Sequence, residues 1–199
     1  MSNLIDLLSR LNTTTADCRD TAAARDLLAI YVPQNIRIIA ESSDAQPRGR
    51  FLLHTVHRGT MPSRLHHEAN GIVLGFDAGA ERHWHCLVAP PHLSNTIFDQ
   101  RQLANNIQSY AITTIEDGTI ISLYFYDGAW QISTARGFQM NDQIWINALT
   151  YDMALKTVLA FIGVDLSAFD LNQTHTICFH HPEMHPFATA TMPPIRAEY

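Results

Sequence analysis

Near one end of the chain, His180, His181, Glu183 and His185 bring four metal-ligating side chains into one short stretch. Imidazole nitrogens and a carboxylate at that density suit zinc, which makes a small His-based metal-binding protein one reading of the chain. Such sites usually hold their ligands on a rigid element, as His-Glu-x-x-His does on a helix, whereas Pro182 and Pro186 bracket this cluster. No metal is therefore expected, and the four residues stand as a reserve set.

Cys178 lies two residues before His180, but side chains two apart in a strand share only a face, and no third orienting group accompanies them. A buried, inert cysteine is expected. His83 and His85 flank Trp84 in the same way and read as sheet-surface residues. Asp117-Gly118 suits a turn between strands. Arg136, beside Gly137, offers a bidentate fork that fits a phosphate or a surface carboxylate equally well. Tyr124, Phe125, Tyr126 and Trp130 have faces on which bases stack, although cross-strand packing accounts for them with so little basic charge nearby. Lys156 is the chain's one lysine and falls mid-helix, where a solvated position is expected.

The elements that must position these groups are legible as periodicities. Leu4, Leu7, Leu8 and Leu11 recur at helical spacing, and a second helix from about Asp20 to Tyr31 stops before Pro33. From Asn35 onward short β runs take over: Ile36 to Ala40, Phe51 to His57, Gly71 to Phe76 and His83 to Val88. A polar stretch from about Asp99 to Ser109 reads as a helix or long connection. Thr119 to Tyr126 and Ala129 to Thr134 flank Asp127-Gly128, the signature of a type I′ hairpin. Thr150 is placed to cap a helix reaching about Ile162, with Met153, Thr157, Val158, Phe161 and Ile162 as its apolar stripe. A last strand runs from about Thr174 to Phe179.

A length of 199 residues, 46% of them hydrophobic, suits one well-buried core. Residues 1 to 11 lack a basic region followed by a long apolar run, so neither a signal peptide nor a membrane anchor is expected. Cys18, Cys86 and Cys178 are an odd set without a CxxC pair, which fits a reducing, cytoplasmic or other intracellular compartment. The net charge is −6, and the basic residues are twelve arginines and Lys156, nowhere in a run. Phosphate-backbone affinity comes from clustered cations, so weak or no nucleic-acid binding is expected.

Ile115-Glu116-Asp117-Gly118, the following hairpin and Ile132-Ser133-Thr134-Ala135-Arg136-Gly137 together resemble the RNA ligase and mRNA-capping nucleotidyltransferases. In that family a Lys-x-Asp-Gly motif carries the nucleophilic lysine, and an arginine follows the hairpin. Upstream, Asn70-Gly71-Ile72-Val73-Leu74 resembles the family's Arg-Gly-Ile-Val segment, and Ala89 to Asn95 its Pro-x-x-Lys-Phe-x-Asn loop. Ile177 to Glu183 resembles a stretch with Phe-Glu-Leu before His-Pro. The resemblance implies an α+β fold of mainly antiparallel sheets, the nucleotidyltransferase (ATP-grasp-like ligase) core, without an OB domain. It implies a single domain over residues 1–199, with a helical part at about 1–32 and a family-like core at about 70–186.

The departures fall on the positions that would carry the chemistry. Ile115 stands at the nucleophile, Asn70 at the basic residue before Gly71, His92 at the upstream lysine and Cys178 at the glutamate. Glu116, Asp117, Gly118, Arg136 and Asn95 keep or neighbour the motif, and the family's Glu-Gly and Lys-x-Lys motifs are expected to be absent. Isoleucine has no lone pair with which to form a phosphoramidate.

These features imply a catalytically inactive RNA ligase/capping-like domain acting as a protein-interaction or structural subunit, compatible with a viral setting. No cofactor is expected, and an apolar surface near the remnant groove is expected to meet a protein partner or a second copy, with no membrane involved. The alternative is an active nucleotidyltransferase with an unusual site, using ATP or GTP with Mg. With no cationic run, single-stranded RNA should bind more weakly than about micromolar at physiological salt. Titration at two salt concentrations checks this, and a tight complex with a steep salt slope would contradict it.

Overall fold

A computed structural model describes residues 3–14, 18–42, 44–56, 64–81, 83–89, 118–180 and 196–198. Helices α1 (Leu4–Thr14) and α2 (Thr21–Tyr31) form where apolar residues recur at helical spacing. The Asp20 carboxylate caps α2 by accepting the Ala23 N–H at 2.9 Å, and the backbone turns extended at Val32, before Pro33.

The chain continues through β1 (Ile36–Ala40), β2 (Arg48–Thr55), α3 (Arg64–Glu68), β3 (Asn70–Asp77) and β4 (Trp84–Val88). After residue 117 come β5 (Thr119–Tyr126), β6 (Ala129–Ser133), β7 (Ile144–Ile146), β8 (Leu149–Thr150) and α4 (Tyr151–Ile162). A 3-10 turn (Leu166–Ala168), β9 (His175–His180) and β10 (Arg196–Glu198) follow. The result is α+β with mainly antiparallel pairing: one sheet ordered β1-β2-β3-β4, a second ordered β10-β9-β5-β6, and the small β7-β8 pair. The expected hairpin joins β5 to β6, with Asp127 (φ 50°) and Gly128 (φ 79°) both left-handed as a type I′ turn requires.

Each sheet carries helices on its outer face. Leu7, Leu11, Ala24 and Leu28 bury against Phe51, Leu53, Ile72, Leu74, Phe76 and Trp84 of the first sheet. Ala154, Leu155 and Leu159 of α4 bury against Ile121, Leu123, Ile132, Ile177 and Phe179 of the second. This corrects the stripe expected for α4. Of the residues named for it, Val158 is buried, whereas Met153 and Phe161 stand 50% and 72% exposed, with Ile162 exposed too. Ala154, Leu155, Val158 and Leu159 form a tighter i, i+1, i+4, i+5 face, and the small Ala154 lets the helix approach the sheet. Thr150 caps the helix as expected, accepting the Met153 N–H at 3.2 Å, and left-handed Gly163 ends it. Strand β2 begins at Arg48 rather than Phe51, because Gly49 and Arg50 already pair with Phe76 and Gly75. The Asp99 to Ser109 stretch lies outside the described residues. Among the described residues no helix is long and apolar enough to cross a membrane.

The inner faces of the two sheets meet around Leu52, Val73, Val88 and Tyr124. Beside this apolar contact lies one buried cation, Arg50, at 3% exposure. Its guanidinium donates in bidentate fashion to Glu41 and, at 3.1 Å, to the Tyr124 hydroxyl of the opposite sheet. The Arg50 guanidinium carbon also lies 4.5 Å from the Tyr126 ring centroid and 5.5 Å from that of Phe138. Gln139, at φ 58°, donates to the same carboxylate at 2.7 Å. Burial opposes the charge on Arg50, but the hydrogen bonds and charge of Glu41 outweigh it, so the guanidinium is held more firmly protonated than usual. Removing one partner of a buried pair leaves the other uncompensated. Arg50→Ala should therefore cost about 3 kcal/mol, and Arg48→Ala, whose contact with Asp77 involves a 70% exposed side chain, under about 1 kcal/mol. Urea unfolding midpoints check the ranking, and equal costs would contradict the central role of Arg50.

Candidate functional site

A sheet covered on both faces ordinarily carries apolar side chains on both. The inner face of the second sheet departs from that rule. Alternation along β5 sends Ile121 and Leu123 outward to α4 and leaves Ser122 and Tyr124 inward, where Ser122 pairs in register with Ser133 of β6 and Thr176 of β9. On β9, Ile177 and Phe179 face outward, so Thr176, Cys178 and His180 share the inner side. The Thr174 hydroxyl donates at 2.7 Å to the Leu87 carbonyl of the first sheet, tying that side to the opposed surface. Ser122, Ser133 and His180 are all buried.

Two clusters of sequence-identified residues lie at the end of the second sheet where β5 starts and β6 and β9 finish. In the first, a Cβ on Gly118 would lie 2.3 Å from Cys178 Sγ and 2.9 Å from the His180 ring. Glycine is required there because the Cys178 and His180 side chains occupy the space. Gly118 and the Cys178 segment, far apart in sequence, are thus neighbours.

The second cluster spans both sheets. Register sets Arg37, His54 and Asn70 side by side across β1, β2 and β3. Gly71, at φ 99°, admits the segment after β6, since a Cβ there would come within 2.9 Å of Ala135 Cα and 3.2 Å of the Thr134 carbonyl. Asn70 and Arg136 therefore converge on His54. Burial, followed by the nearby Arg136 charge and more weakly that of Arg37, lowers the His54 pKa, against opposing hydrogen bonds that the ring donates to the Ala135 backbone and the Asn70 side chain. Two buried polar atoms of this region, His54 Nδ1 and Ser133 Oγ, have no hydrogen-bond partner among the described residues.

Of the sequence-identified positions, Gly118, Cys178 and His180 form one cluster and Asn70 and Arg136 belong to the other. Ile115, Glu116, Asp117, His92, Asn95, His181, Glu183 and His185 lie outside the described residues. Among the described residues no group of three or more His, Cys, Asp or Glu side chains is arranged to hold a metal ion. Among the described residues Cys18, Cys86 and Cys178 form no disulfide. Lys156 stands on α4, 65% exposed and 2.6 Å from Asp152, in the outer layer. Sequence reasoning missed Arg37, Arg50 and His54, and named Ser133 only within the segment that leads to Arg136. The available signal was parity: Thr174, Thr176, Cys178 and His180 alternate with His175, Ile177 and Phe179 and mark a polar inner face.

No protein-family model matches the chain, and no solved structure matches it. Two African swine fever virus proteins bearing the name "Putative RNA-ligase" do. The one from a Kenyan pig isolate is 28% identical over 88 residues, covering 41% of this chain and 18% of that protein. The one from a Malawian tick isolate is 30% identical over 91 residues, covering 41% and 19%. The chain thus has a distant RNA-ligase-like relationship, and the alignments span under a fifth of these relatives' length.

His54 yields a pH prediction. Its folded pKa lies below the ordinary histidine value, so on acidification the unfolded chain takes up the proton first. Its contribution to stability is complete above about pH 6.5 and is lost as pH falls toward the folded pKa. A histidine-resolved NMR titration should place the His54 midpoint below the unfolded value and move it upward in Arg136→Ala. A midpoint unchanged by that substitution would mean the Arg136 charge is not at the imidazole.

Proposed function

We propose that the chain is a single RNA-ligase-like domain that has given up nucleotidyl transfer and serves as a noncovalent interaction or structural subunit, needing neither ATP, GTP nor Mg. The observation that carries this reading is the position of the chain's one lysine. Covalent nucleotidyl transfer in the family it resembles needs a lysine amine beside Asp-Gly, and Lys156 is instead ion-paired on the outer helix with the second sheet between it and the cleft.

The neighbouring substitutions act in the same direction. Cys178 places a thiol beside Gly118 where the resemblance expects a carboxylate, and Asn70 places a neutral amide beside His54 where it expects a cation. Metal-assisted transfer relies on such groups to neutralise developing charge. The exposed Met153, Phe161 and Ile162 of α4 support a surface role, on the outer layer rather than in the cleft. A protein partner or a second copy of the chain would cover them.

Incubation with radiolabelled ATP or GTP and magnesium or manganese should give no covalently labelled protein. Acid-labile label on Lys156 would overturn the loss of transfer. Light scattering of the pure chain tests the other half of the proposal: self-association or a co-purifying protein is expected, and a strict monomer without either would defeat the interaction role.

A further inference from the structure

The edges of the two sheets are not treated alike. Facing outward from β4, the Trp84 N–H and carbonyl are both taken up by the Asn12 carboxamide at 2.9 Å, and the Leu87 carbonyl accepts from Thr174 at 2.7 Å. On β6 the Asn141 carboxamide does the same for the Trp130 carbonyl and the Ile132 N–H, at 3.2 and 3.1 Å, while the Met140 N–H donates to the Ile132 carbonyl at 2.9 Å. Strand β10 is short, spanning only Arg196–Glu198. Side chains that stand in for a missing strand, and short edges, keep a sheet from pairing further.

Strand β1 has no such cover among the described residues. Bonds from the Glu41 N–H to the Arg50 carbonyl and from the Val56 N–H to the Asn35 carbonyl, both 3.0 Å, put the odd-numbered residues in the ladder with β2. The even-numbered ones therefore point their N–H and C=O groups away from it. The Ile36 N–H turns back to the Pro33 carbonyl at 2.9 Å, which leaves Ile38 and Ala40 with open donors and acceptors among the described residues. The side chains favour pairing: Ile36, Ile38 and Ile39 are β-branched, and the one charge, Arg37, is exposed and forms no ion pair among the described residues.

We propose that β1 is a self-association edge, at which a second copy of the chain adds its own β1 antiparallel across a twofold axis at Ile39. Backbone bonding requires even-numbered residues to oppose even-numbered ones, and charge chooses among the registers that satisfy this. An axis at Arg37 would set two guanidinium groups against each other, and one at Ile38 would spend a pairing on Ile36, whose N–H is already bonded. An axis at Ile39 sets Ile38 opposite Ala40 of the second copy, which uses the open groups of both, and sets Arg37 opposite Glu41 of the second copy. Arg50 and Gln139 occupy only part of the Glu41 carboxylate's capacity, so an acceptor position remains. The charges and open groups of β1 are thus complementary to β1 itself, as a twofold contact requires, which favours a second copy over an unrelated extended peptide. This contact stands whether or not nucleotidyl transfer is lost, and it lies on a different element from the exposed side chains of α4.

Sedimentation of the whole chain over a range of concentrations, with backbone amide exchange followed by NMR, tests this. A reversible dimer is expected, in which the Ile38 and Ala40 amides exchange more slowly as concentration rises. Arg37→Glu places a carboxylate opposite Glu41 and should weaken dimerisation by about tenfold or more, whereas Arg37→Lys should keep most of it. Ile38→Pro removes an outward donor while sparing the ladder to β2 and should abolish the dimer. Arg37→Glu alters an exposed side chain, so its result stands even where Ile38→Pro unfolds the chain. Phe161→Ser, on the exposed face of α4, should leave the contact unchanged. A monomer at all concentrations, a dimer indifferent to Arg37→Glu, a dimer lost only in Phe161→Ser, or slow exchange of Ile38 and Ala40 already in the dilute monomer would overturn the proposal. A dimer that depends on α4, or a monomer with a co-purifying protein, would do so while leaving the interaction role of the domain standing.

Discussion

Arg50 is the contact on which the arrangement of the two sheets depends. It is the buried cation of the interface, and its partners come from both sides: Glu41 just beyond β1, and Tyr124 and Tyr126 on β5. A guanidinium removed from water is tolerated only where its charge is matched and its N–H groups are taken up. Here a bidentate carboxylate, a phenol and aromatic faces do so together. Because these partners are fixed in direction, they specify register, whereas the apolar contact of Leu52, Val73, Val88 and Tyr124 alone would tolerate sliding. Burial holds the Tyr124 phenol above its usual pKa against the influence of Arg50, so it remains a protonated acceptor at neutral pH.

With that end pinned, the opposite end of the interface can be polar. The outer layers hold most of the apolar core, with α1 and α2 packed against the first sheet and α4 against the second. The inner surface can then carry Ser122, Ser133, Thr176, Cys178 and His180 and leave room for His54 and Asn70. Apolar packing and polar side chains are thereby assigned to different faces of the same strands. This separation lets the fold persist while individual cleft residues change.

The relationship to the viral ligase-like proteins is compatible with such drift. Gly71, Gly118 and Arg136 retain their places in the resemblance, and each has a geometric reason. Gly71 and Gly118 sit where a side chain would collide with a neighbouring segment, and the charge of Arg136 acts on the imidazole of His54. The changed positions, Asn70 and Cys178, are filled by side chains that their surroundings accommodate without charge.

The sequence by itself determined the local elements. Leucine spacing, Asp20 and Thr150 as caps, and Asp127-Gly128 as a turn act through interactions within a few residues, so α1, α2, α4 and the β5-β6 hairpin were all legible from it. It also linked Asn70, Gly118, Arg136 and Cys178 through motif order, though not through space. Only the tertiary structure decided which face of α4 is buried, since Met153 and Phe161 are as apolar as Leu155 and the choice rests on fit against the sheet. It alone paired Arg50 with Tyr124, 74 residues apart, and brought Arg37, His54 and Arg136 together. No local periodicity encodes such meetings, because they depend on strand register and on how two sheets stack.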